Sequence, residues 1–206
     1  IAMIGAALLW VGWFGFNAGS ALAANENAAM AMLVTHISAA SATITWMLID
    51  WYKNGKPGLV GMITGMVAGL ATVTPASGFI GPLGGLILGI SSGVICYWFV
   101  GYVKTFLNID DSLDVFAVHG VGGILGTLLC GLLATGSFGG MGLETSVWDQ
   151  TKVQIIGVLS IALYTFIATS IIVMITQKIV GLRVSEQEEN RDGLDLGSHG
   201  ESSYHL

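Results

Sequence analysis

Charge is what this sequence has least of. Lys and Arg together number 7 and Asp and Glu 13 in 206 residues, so 10% of the chain is charged while 53% is hydrophobic. A soluble domain carries about a quarter charged residues. The shortage excludes an ordinary water-soluble module, and a net charge of −6 argues against a nucleic-acid partner. Cysteine is equally scarce: Cys96 and Cys130 both lie inside apolar runs with no pairing pattern, which reads as small packing residues and not as a disulfide framework. There is no HExxH metal motif, no phosphate-binding glycine loop, and no serine or cysteine with a base at readable spacing. No enzyme activity, cofactor or metal site is expected. A basic leader and a small-residue cleavage site are missing too, although the chain opens at Ile1 inside an apolar run. That opening reads as a chain whose N-terminal part is absent.

What is present is length of apolar sequence. A membrane helix needs about 20 apolar residues to cross about 30 Å, and six stretches approach this: 1–23, 27–51, 58–74, 79–103, 114–135 and 153–182. The fold expected is all-α, a polytopic membrane bundle of six transmembrane helices over residues 1–182. A polar, acidic tail, 183–206, follows. Lys53, Lys56, Lys104, Lys178, Arg183 and Arg191 fall on one side of alternating spans and only Lys152 on the other. The side richer in Lys and Arg is the cytoplasmic one, so the tail is expected inside. Trp51, Tyr52, Trp98, Tyr102 and Trp148 sit near span ends, as an aromatic belt would.

Glycine is abundant, at 30 residues. Gly61, Gly65 and Gly69 recur every fourth residue in the third span, and Gly81, Gly85, Gly89 and Gly93 in the fourth. Such ridges let helix backbones approach closely. Their expected role is packing.

Few residues are left to carry chemistry. In the first span "GWFGFNAGS" sets Trp13, Phe16 and Ser20 at i, i+3 and i+7, on one helical stripe. Two aromatic faces attract a cation, and a serine oxygen can accept a hydrogen bond from it; plain packing is the competing reading. His119, in "VFAVHGVGGILG", is an ionisable group within a span, which makes a pathway or cavity the working hypothesis. A core histidine bonded to a neighbouring helix is the alternative. His36 reads as packing, with Thr35 and Ser38 as its local partners. Asp114 precedes the fifth span and is expected to cap that helix at its positive end, in a structural role near the cytoplasmic mouth. "TPAS" (74–77) superficially resembles the aquaporin box but lacks its asparagine.

Taken in order, "GWFGFNAGSALAANENAAMAM", "KPGLVGMITGMVAGLATVTPASGFIGP", "DDSLDVFAVHGVGGILGTLLCG" and "GLDLGSHGESSY" closely resemble the C-terminal half of ammonium transporters of the Amt family. The resemblance implies an eleven-helix protomer with an inverted five-plus-five repeat, of which this chain supplies helices six to eleven. It implies homotrimers with one pore per protomer in the plasma membrane. His119 matches the second of two stacked pore histidines, Trp13 and Phe16 match aromatic pore residues, and Ser20 matches the serine of an outer recruitment site. It further implies a PII-type signalling partner at the cytoplasmic face. An Amt-like sensor is a rival, although the short tail leaves little room for an output domain. An unrelated small-solute channel is another.

Overall fold

The computed structural model describes residues 1–202, without the side chains of Arg191 and Asp192. The last four residues of the expected tail, 203–206, lie outside the described residues, as does the Arg191 side chain of the charge count. Every regular element among the described residues is helical: α1 (Ala2–Gly19), α2 (Glu26–Asn54), α3 (Leu59–Val73), α4 (Pro82–Gly101), α5 (Gly122–Leu133), α6 (Val147–Ile179) and α7 (Glu186–Leu194). Single π-helical turns extend α4 (Tyr102–Phe106) and precede α5 (Phe116–Val121). The described residues fall into two compact units, 1–158 and 159–202.

Local chemistry sets the ends of these helices. Asn25 caps α2 by accepting from the Ala28 amide at 3.0 Å, and Gly55 closes it in the left-handed region, at φ 74°. Pro82 opens α4 at a position where its missing N–H is not needed. Ser146 accepts from the Asp149 amide at 3.1 Å and starts α6. In the tail, Ser185 and Glu188 form a reciprocal capping box that starts α7, so part of the polar segment is helical.

Five of the six expected spans are long and apolar enough to cross a membrane: Ala2–Gly19, Glu26–Asn54, Pro82–Phe106, Phe116–Leu133 and Val147–Ile179. The third is shorter than expected. It is α3, with 15 residues, which rise about 22 Å. Its helix stops at Val73: Thr74 still has helical backbone, at φ −51° and ψ −51°, but Pro75 has no N–H to carry the ladder on. Tight turns carry the chain through 74–79 instead, with the amides of Ala76 and Phe79 bonded to Val73 and Ala76 carbonyls at 2.9 Å.

The core of residues 1–158 is organised around α2. Val34, Ala39, Ala42 and Trp46 are buried on it, against Ala68, Leu70 and Val73 of α3 and Leu88 and Cys96 of α4. The glycine ridges make this closeness possible. A Cβ on Gly65 would stand 2.6 Å from the Trp46 Cβ, and one on Gly93 would stand 2.7 Å from the Thr45 Cβ. Both ridges therefore meet α2, from two sides. Gly81 is the exception in its series: it abuts the Gly139 carbonyl in the loop after α5. At the far end of α2, the Lys53 ammonium lies 4.7 Å from the ring centroids of both Tyr97 and Trp98. Trp51, Tyr52, Trp98, Tyr102 and Trp148 are all exposed.

Candidate functional site

Helix α1 supplies an aromatic stripe, and the fold decides what that stripe faces. The Trp13 indole N–H donates to Thr74 Oγ1 at 2.8 Å, and the same hydroxyl donates to the Leu70 carbonyl at 2.7 Å. This tether holds the indole against the end of α3. The Phe16 ring meets it edge-on, with centroids 5.9 Å apart. The His119 imidazole lies nearly parallel to it, 6.5 Å away at an interplanar angle of 20°. Phe16, Trp13 and His119 thus form a row of three rings.

Ser20 stands at the Phe16 end of this row. Its hydroxyl donates to the Phe16 carbonyl at 2.7 Å, which leaves the oxygen's lone pairs free to accept. Ser20 and Phe16 line a cavity of about 440 Å³ with Asn17, Asn27, Thr74 and Ser77. No charged side chain lines it. Beneath it, Asn17 is buried and donates to Thr35 Oγ1 at 2.9 Å.

His119 lies in the π-helical turn Phe116–Val121. Such turns carry an extra backbone residue and are frequent at functional sites. The imidazole is exposed and forms no hydrogen bond among the described residues. Close behind it, Gly122 and Gly126 press α5 onto α3. A Cβ on Gly122 would stand 2.7 Å from Thr72 Oγ1, and one on Gly126 would meet the Thr72 carbonyl.

Two expectations need correcting. Asp114 does not cap the fifth helix. Asp111 does, accepting from the Val115 amide at 2.9 Å and the Phe116 amide at 3.0 Å through its two oxygens. Asp114 instead adopts left-handed backbone, at φ 58°, and pairs with Lys104 at 2.6 Å, bridging the π-turn after α4 to the start of the next helix. Replacing Asp111 by alanine should therefore cost about 1 kcal/mol and speed hydrogen exchange at the Val115 and Phe116 amides, whereas Asp114→Asn should leave those amides protected.

His36 has different partners from those expected. Ser38 donates to the Gly69 carbonyl at 2.8 Å and Thr35 to the Ala31 carbonyl at 2.6 Å. The His36 ring packs on Trp10 at 5.2 Å and Phe14 at 6.1 Å. Thr74 is the residue that the sequence reading missed. Its hydroxyl fixes the central ring, but a threonine before a proline carries no signal of that contact.

Among the described residues no group of three or more His, Cys, Asp or Glu side chains is arranged to hold a metal ion. The model of the Ammonium Transporter Family matches residues 1–204. The chain is 46% identical to ammonium transporter Amt1 of Archaeoglobus fulgidus, over 99% of this chain and 52% of the relative. It is 45% identical to an ammonium transporter of Aquifex aeolicus, over 100% of this chain and 48% of the relative. A solved structure described as a sensor Amt protein superposes with a TM-score of 0.86 at 31% identity, covering 95% of this chain and 48% of the other. The chain spans about half the length of the curated relatives it matches. With that family match over nearly its whole length and an all-helical, multi-pass fold to go with it, the chain belongs to the ammonium transporter family.

Proposed function

We propose that this chain is the C-terminal half of an ammonium transporter and contributes one wall of its pore. The observation that carries the reading is the row of rings from the Ser20 cavity through Phe16 and Trp13 to His119.

The physical problem is the charge of the substrate. Moving an ion into an apolar passage without compensation is prohibitive. At the mouth, the Phe16 and Trp13 faces attract ammonium by about 0.5–2 kcal/mol depending on desolvation, and Ser20 accepts one of its hydrogen bonds. Transfer of one proton from ammonium to water at the mouth leaves neutral ammonia, which needs no counter-charge. His119 then offers a donor or an acceptor farther along, and an imidazole chain can pass the proton separately. Sodium and potassium have no proton to lose and are refused. The exposed faces of α1 and His119 are where the remainder of the protein, with a partner histidine, closes the passage. The whole protein assembles as a trimer in the plasma membrane, with its tail and any PII-type partner in the cytoplasm.

The test is flux through the full-length protein in liposomes. An ammonium gradient should drive transport that an equal potassium gradient does not. Ser20→Ala should raise the half-saturating ammonium concentration by about threefold to tenfold, the worth of one hydrogen bond, with little change in maximal rate. The likeness to a sensor Amt protein favours a second reading, in which the same site reports ammonium. Saturable ammonium binding without flux would select it.

A further inference from the structure

We propose a second pocket at the Ser20 end of the bundle, one that binds a small organic ammonium ion. A cavity of about 540 Å³ lies between the 74–79 turn, the end of α5 and the first two turns of α6. It shares Pro75 and Phe79 with the Ser20 cavity, so these two side chains form a common wall.

Its other walls are pinned by backbone. The Met141 amide donates to the Phe79 carbonyl at 3.0 Å and the Gly142 amide to the Ala134 carbonyl at 2.8 Å. A Cβ on Gly131 would stand 3.3 Å from the Gln150 side chain, which brings α5 and α6 together on the remaining side. The cavity is a product of the fold and not of a loose loop.

The lining selects a cation. Glu144 is its one charged side chain, and among the described residues that carboxylate has no hydrogen bond or ion pair. Lys152 is held by Asp149 at 2.9 Å and does not line the cavity. Gln150 and Gln154, one turn apart on α6, add two amide oxygens, and the Phe79 ring adds an aromatic face. The carboxylate and the ring suit an ammonium centre that carries carbon; a quaternary nitrogen has no N–H to donate, so the amide oxygens serve to accept from a hydroxyl on the ligand's arm. The volume is generous for bare ammonium and fits a quaternary amine with a short polar arm.

Choline is the probe, titrated calorimetrically against the full-length protein without ammonium. Saturable binding is expected. Glu144→Gln should weaken it about threefold to tenfold, in line with an exposed ion pair reinforced by a ring. The uncharged isostere 3,3-dimethylbutan-1-ol should bind more weakly than choline by at least the same factor. Glu144 is exposed, so the variant should elute with wild type on gel filtration. Absence of saturable binding, equal affinity for the neutral isostere, or undiminished affinity in Glu144→Gln would overturn the proposal. So would loss of binding in Phe16→Ala with Glu144 intact, since that would put choline in the Ser20 cavity. None of these readouts involves ammonium flux, so this pocket and the transport reading fail separately.

Discussion

Full-length protein carrying His119→Ala should lose ammonium-selective transport by about tenfold or more while still folding and inserting. The two halves of that expectation rest on different observations. Folding should survive because the imidazole is exposed and forms no hydrogen bond among the described residues; what it gives up is a ring contact with Trp13 at 6.5 Å. Transport should suffer because ammonia, once past the rings, would meet an apolar stretch with no polar partner at that level. An unmade hydrogen bond in such surroundings costs about 1–3 kcal/mol, and each 1.4 kcal/mol is a factor of ten. The measurement is current or uptake in liposomes under matched ammonium and potassium gradients. Conductance that persists but no longer tells ammonium from potassium would mean that water has entered the gap left by the ring, and would still place His119 in the path. Unchanged rate and unchanged selectivity would remove it. Trp13→Phe is the companion variant: it keeps a ring beside His119 but releases Thr74, so it separates stacking from the tether at the end of α3.

Much of this arrangement was legible because helices have a fixed period. Trp13 and Phe16 had to share a face, whatever the tertiary fold, since residues three apart on a helix are neighbours. The glycines spaced by four likewise had to form ridges. What period alone cannot supply is the partner. Nothing in the first span says that its stripe will meet His119, more than a hundred residues later, or that both ridges will press on the same helix. Such pairings depend on how several helices pack at once, and each is only one of many that the same apolar faces would allow.

The misplaced cap has a sharper cause. Asp110, Asp111 and Asp114 lie within one short loop, and any of them can reach a helix start. The choice turned on backbone, because Asp114 enters the left-handed region, an uncommon state for a residue with a side chain. Its carboxylate then serves the Lys104 pair, and Asp111 reaches the free amides of Val115 and Phe116. The third span was legible almost to the residue: the expected range is 58–74, and the helix runs from Leu59 to Val73, ending before Pro75, which has no backbone N–H. The contacts of His36 were less legible: its sequence neighbours Thr35 and Ser38 found partners of their own, and the ring settled on Trp10 and Phe14 of another helix.

Ser38 marks the level where α2, α3 and α4 come closest, and there the second large effect is expected. A Cβ on Gly69 would stand 2.5 Å from the Ser38 carbonyl and 2.7 Å from the Ala42 Cβ. One on Gly89 would meet the same carbonyl and the Ser41 hydroxyl, with the Ser38 Cα 2.9 Å away. The Ser38 hydroxyl meanwhile bonds to the Gly69 carbonyl at 2.8 Å. A single methyl at Gly89 therefore meets main chain, which cannot rotate aside as a side chain would. Gly89→Ala should destabilise the bundle by about 1–3 kcal/mol, the usual range for overpacking, despite alanine's advantage in a helix of about 1 kcal/mol. Gly89→Leu should prevent assembly. Gly101→Ala, at the end of the same helix where a Cβ would meet nothing within 4 Å, should be neutral or slightly stabilising. Melting of the purified full-length protein in detergent, followed by gel filtration, distinguishes these outcomes. If Gly89→Ala melted with Gly101→Ala, α2 and α4 would have room to separate at Ser38, and the three-helix crossing would not be the tight joint that holds α1 and α5 in position around the row of rings.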